Sequence, residues 1–173
     1  TTSGDLTIAA NAGISITDGV LVDVGSSTIN LTAFNGDATI TGLKTTSSSA
    51  TAIIIDTIDS ITDGGATNID ISAVNGGIQL ISGTGVVDLE TQIASLDTTN
   101  STSGNIIINE IDNVSLTQVS NAGNITVNTG GNLSLDTDLN LNGMNGSTLT
   151  LNAGADLIFN ANICEGGATC SSV

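Results

Sequence analysis

The sequence predicts an all-β protein: a right-handed parallel β-helix with three strands per coil and about seven coils of roughly 24 residues. Three observations predict it. Apolar residues recur at i and i+2, as in Leu133/Leu135, Leu149/Leu151 and Leu157/Phe159, which is the period of a strand and not of a helix. These short alternating runs return at a nearly constant interval, the signature of a solenoid. Glycine stands just ahead of many of them, where a coil must turn a corner. The right hand is that of most such folds.

The first face of the coil begins its alternation at Leu6, Ile29, Ile53, Ile78, Ile106, Ile125 and Leu149, with steps of 23, 24, 25, 28, 19 and 24 residues. The second begins at Ile14, Ala38, Ile61, Val87, Val114, Leu133 and Leu157, with steps of 24, 23, 26, 27, 19 and 24. A weaker third face runs through Val22, Leu43, Ile69, Ile93, Val119, Leu139 and Ile163. A sandwich of hairpins would also give short strands. It would not keep residues three strands apart in register while neighbouring strands drift. One solenoid domain over residues 1–163 follows, with a cysteine loop and tail over 164–173.

Alternation then names the inward side chains. They are Leu6 and Ile8, Ile29 and Leu31, Ile53 and Ile55, Ile106 and Ile108, Ile125 and Val127, Leu133 and Leu135, and Leu149 and Leu151. Like should stack on like about 4.8 Å away in the next coil. Each such burial, about 1.5–3 kcal/mol, offsets the ordering entropy only with neighbouring coils in place. Gly4, Gly13, Gly36, Gly77, Gly104, Gly123 and Gly131 are expected at positive-φ corners. The same register sets Asn124 over Asn105 and Asn132 over Asn113, as amide ladders. The longer steps leave slack near 44–51 and 97–103, which should bulge as loops.

Composition narrows the function. The chain has no Pro, Trp, Tyr, His or Arg, Lys44 is its only basic side chain, and the formal net charge is −16. Nothing here could neutralise nucleic-acid phosphates, so no nucleic-acid partner is expected. Anionic membrane surfaces are disfavoured for the same reason, and no run is long enough for a membrane-spanning helix. The charge serves solubility first. Abundant Ser, Gly and Asn could suggest disorder, but regularly spaced Ile, Val and Thr argue for packed strands. Cys164 and Cys170 are the only cysteines. They lack partners for a zinc site, and two glycines between them let the chain double back into a disulfide. That bond, within the loop or across a subunit junction, implies an oxidising, extracellular or cell-surface setting.

The recurring phrase G-[ND]-[ILV]-x-[ILV] is seen at Gly4-Asp5-Leu6, Gly104-Asn105-Ile106, Gly123-Asn124-Ile125 and Gly131-Asn132-Leu133. It resembles the haemagglutinin-type repeats of filamentous haemagglutinin and is similar to high-molecular-weight adhesins of two-partner secretion. The resemblance implies a long β-helical shaft with little chemistry of its own. It also implies a cysteine pair near the C-terminus, where Cys164 and Cys170 lie, that helps tether the fibre to its exporter. Family shafts are far longer, so the chain reads as a fragment or as a small subunit that reaches length by stacking.

Chemistry is sparse. Catalysis by His, Arg or Tyr is excluded, and neither Asp88/Glu90 nor Asp136/Asp138 has a basic partner. No catalytic residue, cofactor or metal site is therefore assigned. Asp56, Asp59 and Asp63 could offer calcium only incidental binding, since neither a β-roll nor an EF-hand pattern is present. Ser15/Thr17, Thr39/Thr41 and Ser115/Thr117 give partial hydroxyl columns, which keep an ice-binding solenoid as the alternative. A carbohydrate-binding solenoid is a further one. Of the Asn-x-Ser/Thr sequons, Asn100 in a predicted loop is the best glycan acceptor. Leu6 opens the first strand with no room for a cap, and the tail after Phe159 is no amphipathic helix. Open coil ends invite pairing, so the expected partner is the chain itself, head to tail, or the continuation of a longer shaft. A cell-surface or glycan ligand is the remaining partner class.

Overall fold

A computed structural model of the chain describes residues 4–65, 68–140 and 147–164. It is a parallel β-solenoid of about six turns with no helix among the described residues. The first turn comprises β1 (Leu6–Ala10), β2 (Ile14–Ser15) and β3 (Val22–Asp23). The second comprises β4 (Ile29–Ala33), β5 (Ala38–Ile40) and β6 (Leu43–Lys44). Then follow β7 (Ile53–Thr57), β8 (Ser60–Asp63) and two long strands, β9 (Ile71–Ser82) and β10 (Gly85–Asn100). The remainder is β11 (Ile106–Glu110), β12 (Val114–Asn121), β13 (Ile125–Thr129), β14 (Leu133–Leu135), β15 (Leu139–Asn140), β16 (Leu149–Ala153), β17 (Leu157–Phe159) and β18 (Ile163–Cys164).

Every pairing is parallel, and the first coils stack as their alternation requires. Leu6 pairs with Ile29, Ile29 with Ile53 and Ile53 with Ile78. Ile14 pairs with Ala38 and Ala38 with Ile61, while Val22 pairs with Leu43. Ile29, Leu31, Ile53, Ile55, Ile106, Ile108, Ile125, Val127, Leu133 and Leu135 are fully buried in one continuous core. Leu6, Leu149 and Leu151 pack against its edges, partly buried.

The middle of the solenoid departs from the predicted columns. Ile78 pairs with Leu96 and not with Ile106, which instead pairs with Val86. The predicted 28-residue step therefore does not exist. The physical cause is a lost corner. In the fourth turn the second and third faces run as one strand, β10, and β11 pairs with it from Val86 through Thr91. Removing a corner shortens each turn, so Ile106 meets Ile125 after only 19 residues. Val114, Leu133 and Leu157 do stack on one another, but in the column that descends from Leu96 and Ile78.

Two positions shift with the corner. Val86, not Val87, is inward and pairs with Ile61, leaving Val87 42% exposed. A one-residue slip exchanges the faces of a strand. The register shift between Val86 and Leu89, with Asp88 at φ 57°, then returns Leu89 to the core. Ile71, not Ile69, continues the third face from Leu43. Thr98, not Ile93, is the partner of Val119, while Ile93 pairs with Ala73.

Of the two predicted bulges, 45–52 does run as a loop between β6 and β7, with Thr46, Ser48, Ala50 and Thr51 exposed. Residues 101–103 likewise form an exposed loop, whereas 97–100 is corrected. Residues 97–100 are ladder-paired on both sides, with Thr98 and Asn100 pointing into the core. Asn100 is thus no glycan acceptor: its amide donates to Ser103 O at 2.7 Å and to Asn121 Oδ1 at 2.5 Å. Within 44–51, Thr45 is buried and donates to Ser27 O at 2.5 Å, while Ser47 and Ala50 lie against Gly76 and Gly77. Among the glycines named as corners, only Gly36 and Gly104 have positive φ. Most of the others are required by close stacking: a Cβ on Gly77 would lie 2.3 Å from Ala50 O.

Candidate functional site

Three features are positioned by this architecture: the two end coils, the polar ladders on the exterior and an acidic cluster beside a groove.

At one end, β1 pairs with β4 on one side only. Ile8 has the inward phase of Leu31, its partner in the next coil, yet is 40% exposed. At the other end, β16 and β17 pair among the described residues with β13 and β14 alone, and Leu157 is 40% and Phe159 52% exposed. No strand or helix among the described residues covers either coil. Among the described residues, both ends present strand edges without a partner together with aliphatic core.

The predicted asparagines occupy corners. Asn105 Oδ1 accepts the backbone N–H of Asn124 at 3.1 Å, and Asn124 Oδ1 accepts that of Thr148 at 2.9 Å. Asn113 Oδ1 accepts the N–H of Asn132 at 2.7 Å, and Asn132 Oδ1 that of Asp156 at 3.0 Å. These bonds run from side chain to backbone, whereas the amide-to-amide ladders lie elsewhere. Asn128 donates to Asn109 Oδ1 at 2.8 Å, and Asn152 to Asn128 Oδ1 at 2.8 Å. Sequence reasoning missed this column, although IIINE, ITVNT and LTLNA hold Asn at one position. The buried Asn100–Asn121 pair was missed because it lay in an expected loop.

Asp136 accepts from Ser115 at 2.6 Å, Ser134 at 2.8 Å and Asn160 at 2.8 Å, and these bonds, Ser115 first, lower its pKa. Asp138 Oδ1 accepts the N–H of Asn162 at 2.9 Å. Both carboxylates thus tie coil to coil. Of the hydroxyl columns, Thr41 is buried and donates to Ile16 O and Thr17 O at 3.1 Å and Thr117 donates to Leu96 O at 3.0 Å, while Ser15 and Thr17 are exposed. Lys44 pairs with Asp23 of the coil below at 3.2 Å, both exposed, which contributes little stability.

Asp63, Asp70 and Glu90 converge, each offering an oxygen within 4.8 Å of the others. Asp63 ends β8, Asp70 precedes β9, and Glu90 follows the Asp88 bulge in β10. Asp70 is 1% exposed; its Oδ2 accepts the Glu90 N–H at 3.0 Å, while its Oδ1 has no hydrogen-bond partner. Glu90 Oε2 is buried without a partner as well. Two like charges at that spacing repel by about 3 kcal/mol at an effective dielectric of ~20. Burial is the main cause that pushes Asp70 up to about 8, with Asp63 and Glu90 adding to it. Asp56 and Asp59 do not join this group, and only Asp63 of that run does.

Beside the cluster lies a groove of about 420 Å³, walled by Asn68, Ile69, Glu90, Thr91, Asn109, Glu110, Ile111, Asn128, Thr129 and Gly130. Glu110 holds an inward position on β11 after Ile106 and Ile108. Its Oε2 accepts from Thr91 Oγ1 at 2.7 Å and Ile93 N–H at 3.1 Å, and its Oε1 from Asp112 N–H at 3.1 Å. Burial pushes Glu110 up to about 8. Asp70 and Glu110 carried no motif; their one signal was a carboxylate beside or within the inward phase.

Cys164 lies in β18, with Leu139–Asn140 alongside. Its expected pairing with Cys170 falls outside the described residues. The fold and these sites define a parallel β-solenoid of repeated coils. No family, no curated protein and no solved structure matches the chain.

Proposed function

We propose that the chain is a non-catalytic structural protein of the cell surface or extracellular space, a β-solenoid shaft unit that stacks end to end in a fibre. The observation that carries this reading is the pair of open coil ends. Ile8 at one end and Leu157 and Phe159 at the other hold inward positions yet stay exposed. A further coil, from another copy or from a continuing shaft, would bury them and satisfy the edge strands. A head-to-tail contact of this kind does not close on itself and yields a filament. The flanks support a passive shaft, because their carboxylates and amides are largely engaged in coil-to-coil bonds. The resemblance to haemagglutinin-type repeats favours a surface fibre with adhesive capacity, and the cysteine pair an oxidising compartment.

Sedimentation velocity across a concentration series tests this. The wild-type chain should associate with rising concentration, while Ile8→Asp and Leu157→Asp variants should stay monomeric with an unchanged β spectrum. Wild-type monomer at every concentration would count against self-stacking. A glycan array and a cell-adhesion assay separate an adhesive fibre from an inert one.

A further inference from the structure

We infer that Asp63, Asp70 and Glu90 form a calcium site that clamps the third turn of the solenoid to the fourth. Three carboxylates, at the end of β8, just before β9 and within β10, bring oxygens within 4.8 Å of one another. An acidic cluster alone would mean little in so acidic a chain. The second observation concerns Asp70, which is 1% exposed and has its Oδ1 without any hydrogen-bond donor. Glu90 Oε2, buried in the same place, lacks a donor too. An ionised carboxylate oxygen buried without a donor needs a positive partner, a proton or a cation. No basic side chain can supply it, because Lys44 is the only one and it pairs with Asp23.

The chemistry of the donors selects the ion. All are hard oxygens, with no His in the chain, which disfavours zinc and the softer transition metals. Calcium binds oxygens at 2.3–2.6 Å, so three of its ligands can stand up to about 4.5 Å from one another, close to the 4.8 Å within which these three oxygens lie. Magnesium, at 2.0–2.1 Å, holds three ligands only to about 3.6 Å of one another and demands near-ideal octahedral geometry, so the wider calcium shell suits the cluster better. Glu90 also lines the open groove, from which water can supply the additional oxygen ligands that calcium takes. Asp70 and Glu90 are already fixed to each other through the Glu90 N–H and the Asp70 N–H to Glu90 O bond of 2.8 Å. The ligands are therefore held in place before the ion arrives.

The test is calorimetric titration of the chelator-treated chain with calcium chloride, paired with thermal melts. One calcium per chain is expected, with a raised melting temperature and at least tenfold weaker binding for Asp63→Asn and Asp70→Asn. Asp56→Asn and Asp59→Asn should bind as wild type. Should Asp70→Asn fail to fold, Asp63→Asn at the more open edge carries the test. Magnesium chloride should bind at least tenfold more weakly. No calcium heat and no thermal shift in the wild type would overturn the site. So would undiminished binding in a folded Asp63→Asn variant, and equal magnesium affinity would overturn the ion assignment.

Discussion

Truncating one inward residue at two heights of the same column separates a stacked core from an open end. Ile55 is fully buried and pairs with Leu31 on one side and Leu80 on the other. Ile8 holds the equivalent place in the first coil, pairs with Leu31 alone and is 40% exposed. Ile55→Ala removes buried methyl groups and leaves a cavity enclosed by two coils, at a cost of about 3–4 kcal/mol. Ile8→Ala gives up only part of a transfer term and leaves no enclosed cavity, at roughly 1 kcal/mol. Urea denaturation followed by far-ultraviolet circular dichroism, at concentrations where the chain is monomeric, should resolve this gap. At concentrations where chains stack, the cost of Ile8→Ala should rise toward that of Ile55→Ala, because a neighbour's coil then covers it. Losses equal within about 0.5 kcal/mol in dilute monomer would refute the nearest-neighbour reasoning.

Three further outcomes are expected. Gly77→Ala should destabilise strongly in a denaturation experiment, since its Cβ would meet Ala50 O at 2.3 Å, while Gly4→Ala, with open space around it, should be near neutral. Glu110 titrates at about 8 in the fold and near 4.5 when unfolded, so the folded state holds the extra proton between those values. Stability should accordingly fall as pH rises from about 4.5 through about 8, and Glu110→Gln should flatten that slope in urea midpoints measured against pH. Asn121→Ala should cost about 1–3 kcal/mol in thermal or urea unfolding, because it strips the buried Asn100 amide of an acceptor and removes one of the two donors to Asn124 O.

The outer coils were legible in the sequence because each corner there keeps the faces distinct. Leu6, Ile29, Ile53 and Ile78 keep near-constant steps, and a period-two pattern suffices to orient them. The middle was not legible, since Val86–Thr91 turns from one face to the next without a loop, through a bulge at Asp88. A bulge adds a residue without altering composition, so alternation alone put Val87 inside. The slack of the expected 28-residue step places Thr98 and Asn100 in a loop; without that step both are buried, and a hydrogen bond to Asn121 satisfies the Asn100 amide. The acidic cluster was hidden for a different reason. Asp63 and Glu90 are far apart in sequence and meet only through the stacking of turns. The asparagine corners, by contrast, followed from register alone.

Helical reconstruction of filaments from cryo-electron micrographs bears most directly on the central claim. Eight strands stack about 4.8 Å apart in the column from β1 to β17, so head-to-tail stacking predicts an axial rise of roughly 38 Å per chain. Continuous parallel strands should cross each junction, with Ile8 of one copy buried against the Leu157 and Phe159 coil of the next. Dispersed monomers at high concentration, or chains joined side by side with both end coils still open to solvent, would contradict it.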